Sequence, residues 1–146
     1  MAEAFYSVVL DHPAEVVWSV IRPFGHYAWA GVEAETVIED GRRDDQVGAV
    51  RCVTMPGRTI RQQLLAHSDR ERSYTYSFLE PAPVQNYVAT IAVTPVVETA
   101  QAFVTWQATF DCAPEECRRW TEQFEHKGFA VWLAALRRFM AQKVSG

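Results

Sequence analysis

Along residues 74–79 the chain alternates Tyr74, Tyr76 and Phe78 with Thr75, Ser77 and Leu79. Farther on, Tyr87, Ala89, Ile91 and Val93 alternate with Val88, Thr90, Ala92 and Thr94. A period of two predicts strands with one face buried. The loop between them, carrying Pro81 and Pro83, makes the pair a β-hairpin. The period does not say whether these large aromatics fill a solid core or line a hollow.

The same reading orders the rest of the chain. "AFYSVVL" (4–10) alternates and predicts a first strand. Asp11 and Pro13 then open a helix over "AEVVWSVI", with Ala14, Val17, Trp18 and Ile21 on one face. "RPFG" ends it, and "HYAWAG" (26–31) predicts a second short helical turn. Strands follow at "VEAETVIED", "AVRCVTM" and "TIRQQLLAHS", separated by the polar turns "GRRDDQVG" and "PGR". "DRER" leads into the hairpin, and after "ETAQ" comes "AFVTWQATFD", where Val104, Trp106, Ala108 and Phe110 share a face.

From Pro114 the period changes. "PEECRRWTEQFEHKGFAVWLAALRRFMAQK" has acids in its first turn and bases in its last, both favourable to a helix dipole. Trp120, Phe124, Gly128, Trp132, Leu136 and Phe139 recur every three or four residues and predict one apolar face. The order is strand, helix pair, six strands, long helix. That is an α+β fold, one antiparallel sheet clasping one amphipathic helix, and residues 1–146 read as a single domain.

Composition narrows the function classes. A net charge of -4 argues against a nucleic-acid or anionic-membrane surface. No run reaches the roughly 18 apolar residues of a membrane span. No basic segment followed by a long apolar run opens the chain, so no signal peptide is expected. Cys52, Cys112 and Cys117 are too scattered for a disulfide scaffold and are expected as three reduced thiols in a cytoplasmic protein. His12, His26, His67 and His126 are equally dispersed, and no metal or cofactor is expected. No Gly-rich phosphate loop, HExxH or GxSxG appears.

The words "VVWSVIRPF" (16–24), "DDQVGAVRCVTMPG" (44–57), "SYTYSFLEPAPVQNYVATIAVTP" (73–95) and "VTWQATFD" (104–111) carry a resemblance. With the aromatic C-terminal helix they make nearly the whole chain similar to the START-like helix-grip superfamily (SRPBCC). More closely, the chain resembles the bacterial polyketide cyclase/dehydrase and lipid-transport family, a relative of plant abscisic-acid receptors and the birch pollen allergen. The resemblance implies a curved sheet of six to seven strands wrapped around the long helix, two short helices after the first strand, and a cavity between sheet and helix. It implies inward positions at Arg51, Val53, Met55, Ile60, Gln62, Tyr76, Phe78, Val84, Tyr87, Ala89 and Trp106. From the helix it adds Phe124, Gly128 and Trp132.

That set suits a mostly apolar small-molecule pocket with few polar handles. Arg51 either meets a ligand oxygen or folds onto an internal acid such as Glu33 or Glu35. Gln62 stands where relatives often carry an acid; an amide orients a carbonyl or hydroxyl but cannot be a general base. The hydroxyls of Tyr76 and Tyr87 need partners, from ligand or backbone. Trp106 and Trp132 read as lining, His26 as a surface histidine near the mouth with Tyr27 and Trp29, and Gly128 as a flat spot that makes room. The loops "MPGRT" and "LEPAPVQ" do not reproduce the Ser-Gly-Leu-Pro-Ala gate word of the hormone receptors. The expected function is a carrier of a small apolar ligand, whether lipid, aromatic or polyketide-like. The alternatives are a cyclase/dehydrase-type enzyme using the same cavity and a protein-interaction module.

Overall fold

The computed structural model describes residues 1–31 and 35–145, with side chains as far as residue 142. One sheet of seven antiparallel strands runs in the order β1-β7-β6-β5-β4-β3-β2. The strands are β1 (Ala2–Leu10), β2 (Glu35–Ile38), β3 (Val50–Met55), β4 (Arg58–Ser68), β5 (Ser73–Phe78), β6 (Gln85–Val96) and β7 (Gln101–Asp111). Between β1 and β2 lie α1 (Ala14–Ile21) and a single 3₁₀ turn, Ala28–Ala30. After β7 come α2 (Pro114–Glu122), a π-helical segment (Gln123–Phe129) and α3 (Ala130–Ser145). This is the expected order, and it is the helix-grip architecture.

From β2 to β7 each strand pairs with its sequence neighbour, and β1 returns beside β7. The alternation sets the facing. Tyr74, Tyr76, Tyr87, Ile91, Val104 and Trp106 are buried on the helix side, whereas Val88 on the opposite face is 38% exposed. Pairings of Tyr76 with Ala89 and of Ile91 with Trp106 keep these rows aligned. A slip of one residue would turn every ring outward.

The long helix departs from a uniform 3.6-residue repeat. Phe124 and Phe129 are both buried, yet on an α-helix residues five apart would diverge by ~140°. The π segment, with the Ala130 amide donating to the Glu125 carbonyl, brings them to one side. Phe129 then stacks on Trp106 with ring centroids 5.0 Å apart, and Phe124 lies 5.1 Å from Tyr87. Beyond it Leu133, Leu136 and Met140 are buried. The apolar face is therefore offset from the one that regular spacing predicts.

Two tight features hold the short elements down. Gly31 follows the 3₁₀ turn at φ +71°, and a Cβ there would stand 3.0 Å from that of Ala135 on α3. Only glycine allows both the backbone and the approach. At the other end of α1, the Asp69 carboxylate accepts from Trp18 Nε1 (3.0 Å), Arg22 Nε (2.7 Å) and His67 Nε2 (3.1 Å). The Arg22 guanidinium, chiefly, holds the Asp69 carboxyl well below the usual carboxylate range. Because that value is depressed in the fold, the contribution is present at neutral pH and lost as pH falls below about 3.8, the ordinary value. The side chain is half exposed, so Asp69→Asn is expected to cost only about 1 kcal/mol at pH 7. In urea melts, the gap between wild type and variant should be constant near neutrality and shrink below pH 4. A gap independent of pH would mean that the carboxylate charge does no stabilising.

The cysteines correct the expectation of three reduced thiols. Cys112, just past the end of β7, and Cys117 in α2 are joined as a disulfide, with Cα atoms 5.5 Å apart. The turn from strand into helix folds back on itself, which brings residues five apart within bridging distance. Among the described residues Cys52 is the free thiol.

Candidate functional site

A cavity of about 280 Å³ lies between the β3–β4 hairpin and the helix that follows β7. Alternation along β3 turns Val53 and Met55 toward it, and along β4 Ile60 and Gln62, with Arg58 at the turn. Pairing of Val53 with Ile60 and of Arg51 with Gln62 makes these one patch. Phe78 closes the wall from β5. Across the space, the helix presents Trp120, Gln123, Phe124, Lys127, Gly128 and Trp132. Tyr27 and Pro83 complete the lining.

Val53, Met55, Ile60, Gln62, Phe78, Phe124, Gly128 and Trp132 of the expected set thus stand at the hollow. Tyr76, Tyr87, Ala89 and Trp106 lie beneath it in packed core. There Trp106 Nε1 donates to the Tyr76 hydroxyl at 3.1 Å, and Tyr76 and Tyr87 rings lie 6.2 Å apart. Val84 faces a separate groove with Gln85, Asp111 and Cys112. His26 is exposed, its ring 6.3 Å from Phe139. So the aromatic row is divided. Its Phe78 end borders a hollow, and the rest is solid.

Several lining residues were not among the expected ones. Trp120 belongs to the same helical repeat as Phe124, and Tyr27 to the aromatic mouth segment, so a periodic signal existed for both. Gln123, Lys127, Arg58 and Pro83 gave none. Long polar side chains at a rim lay their apolar stems inward, which hydropathy patterns do not show.

Arg51 is fully buried at the inner side of this wall. Its Nε donates to Gln62 Oε1 at 2.7 Å, and its Nη1 to the Phe24 carbonyl at 3.3 Å and the Tyr74 hydroxyl at 3.4 Å. The guanidinium carbon sits 4.2 Å from the Phe24 ring centre and 4.3 Å from that of Tyr27, with Tyr76 at 5.0 Å. Such ring faces stabilise a desolvated cation. Burial works against the charge, but the oxygens of Tyr74, Tyr27 and Tyr76 outweigh it, and the guanidinium stays protonated. Glu35 is exposed and is not its partner; Glu33 lies outside the described residues. Arg51 Nη2 is buried with no hydrogen-bond partner.

Proton-transfer chemistry has little to work with here. Burial pushes the hydroxyls of Tyr27 and Tyr76 well above the ordinary tyrosine value, and Tyr87 likewise. They are donors at neutral pH and poor bases. The described lining holds no carboxylate and no histidine. What the arrangement does offer is apolar surface, neutral donors and one deep cation.

Comparison with known proteins agrees with this geometry. A protein of Thermobifida fusca is 29% identical with a TM-score of 0.83, over 94% of this chain and 91% of that one. The Bacillus cereus protein XoxI is 30% identical with a TM-score of 0.81, over 94% of each chain. Norcoclaurine synthase of Thalictrum flavum, in complex with dopamine and hydroxybenzaldehyde, shares the fold at 17% identity and a TM-score of 0.73, over 96% of this chain and 86% of that one. No curated protein matches the sequence. The model of one family, however, matches residues 1–144, and the chain belongs to it: polyketide cyclase/dehydrase and lipid transport.

Proposed function

We propose that residues 1–146 form one ligand-binding domain that carries a small, mostly apolar molecule in the cavity between the β3–β4 hairpin and the C-terminal helix. The observation that carries this reading is the cavity itself, walled by Val53, Met55, Ile60, Phe78, Phe124 and Trp132 with Gln62 as an inner polar group. A mostly apolar concavity with few convergent polar groups is the usual form of a small-molecule site. Family membership supports a ligand-binding role. A cytoplasmic location belongs to the same proposal. No described helix is long and apolar enough to cross a membrane. The Cys112–Cys117 bond pulls against that location, since cytosolic thiols are kept reduced.

Titration with an environment-sensitive apolar dye tests the reading. Binding should be saturable, near one to one, and should change tryptophan emission, because Trp120 and Trp132 line the space. Native mass spectrometry of freshly purified protein should also show a retained small molecule. Weak, non-saturating dye uptake with no emission change would count against a cavity carrier. The second reading, a cyclase/dehydrase-type enzyme, draws on Arg51 as an enolate-stabilising cation. Turnover of a supplied polyketone would favour it, but the raised tyrosine values and the absence of an acid or histidine in the described lining favour binding.

A further inference from the structure

Three arginines in this chain invite the same comparison. Arg22 grips both oxygens of Asp69 through Nε and Nη2, at 2.7 and 2.9 Å. Arg61 grips both oxygens of Glu39 through the same two atoms, at 2.7 and 2.8 Å. Those nitrogens lie side by side on one edge of the guanidinium plane, spaced to match a carboxylate. Arg51 presents the same edge to Gln62 and finds one oxygen, at 2.7 Å on Nε. The amide has its nitrogen where a carboxylate would have the second oxygen, and Nη2 is left buried and unpartnered.

The vacancy is therefore one acceptor oxygen, beside a full positive charge, in a wall of the cavity. Gln62 itself lines that cavity, and its amide nitrogen makes no hydrogen bond with the described residues. Two donors thus face a shortage of acceptors at one end of an apolar space: a guanidinium N–H and an amide N–H. An unpaired buried charge is costly, and a ligand that neutralised it would gain the difference. A hydroxyl would supply an acceptor but not the charge.

Resting on the cavity reading, we infer that the ligand is an amphipathic monocarboxylic acid. Its carboxylate accepts from Arg51 Nη2 and Gln62 Nε2, and its hydrocarbon body fills the space between Ile60, Phe78 and Trp132. At about 30 Å³ per water-sized group, the volume holds roughly nine or ten heavy atoms, the size of a medium-chain or small aryl acid. Gln62 is what selects the acid. A glutamate there would fill both donor positions of Arg51 from within the protein.

Calorimetric titration with octanoate and with 1-octanol at pH 7 tests this on the full chain. Wild type should bind octanoate at least tenfold more tightly than 1-octanol, against the alcohol's greater tendency to leave water. In Gln62→Glu the preference should fall to parity or reverse, because the new carboxylate occupies the Nε/Nη2 edge. Arg51→Met should also abolish the preference; should that variant not fold, Gln62→Glu alone still decides. Equal wild-type binding of both probes would overturn the inference and leave the apolar carrier standing. Binding of neither would overturn both. An acid preference that persists in Gln62→Glu and weakens in high salt would place the carboxylate at rim residues Arg58 or Lys127 instead, and would overturn the assignment to Arg51.

Discussion

Trp106→Ala should lower folding stability by about 3–5 kcal/mol, the range for deleting a large buried aromatic. Trp106 has no exposure and sits in the middle strand row, where its ring meets Phe129 at 5.0 Å, Trp132 at 5.2 Å and Trp29 at 5.9 Å. Three separate elements of the fold converge on that ring: the 3₁₀ turn through Trp29, the π segment through Phe129 and α3 through Trp132. Its removal leaves a void that a hydrogen-bonded sheet cannot collapse to fill. The Tyr76 hydroxyl would also lose the indole donor 3.1 Å away. Thr105→Ala, on the other face of the same strand, should cost under about 1 kcal/mol. Urea or guanidinium midpoints on the two variants measure the contrast. A loss below about 1 kcal/mol for Trp106→Ala would mean that the aromatic layer is loose, and the solid half of the core would need another account.

The legibility of this molecule follows the range of the forces that shape it. Strand facing was readable because Tyr76, Tyr87 and Trp106 alternate with Thr75, Val88 and Thr105, and a sheet buried on one face has no other solution. The α+β order was readable for the same local reason. Phe124 and Phe129 show where local pattern ends. Their spacing of five fits no α-helical face, and only the π segment, settled by packing on Trp106 and Tyr87, reconciles them. Cys112 and Cys117 were misread because a bridge depends on the turn geometry between strand and helix, not on spacing alone. The boundary between solid core and hollow was equally hidden. Tyr76 and Phe78 occupy equivalent positions in the sequence pattern, yet Phe78 lines the cavity and Tyr76 does not. What separates them is how far along the sheet the helix lies close, and no residue of β5 encodes that by itself. Arg51 was identified as informative, but its partners came from Phe24, Gln62 and Tyr74, which no spacing connects.

Gly128→Leu should abolish most apolar ligand binding while the protein stays folded. Gly128 is buried, lies in the π segment and borders the cavity. A Cβ built there would stand 3.2 Å from Cη2 and 3.3 Å from Cζ3 of the Trp132 ring. Those are far atoms of one side chain that itself edges the hollow, so Trp132 can yield by moving into the empty space. The leucine methyl groups would follow it. A leucine side chain together with a displaced indole would occupy a large part of the 280 Å³ available. Backbone preference opposes unfolding, since glycine in a helix is about 1 kcal/mol less favourable than a good helix former. The thermal midpoint is therefore expected to stay close to wild type or rise, while dye affinity drops tenfold or more. Gly128→Ala should fall between, shifting the ring by a few tenths of an ångström and weakening binding only slightly. Equilibrium dye titration and thermal melts on the same three proteins separate the outcomes. If Gly128→Leu folds and binds the dye as tightly as wild type, the ligand does not occupy this hollow. If it unfolds while Gly128→Ala is also strongly destabilised, the glycine serves close packing of the π segment rather than room for a guest.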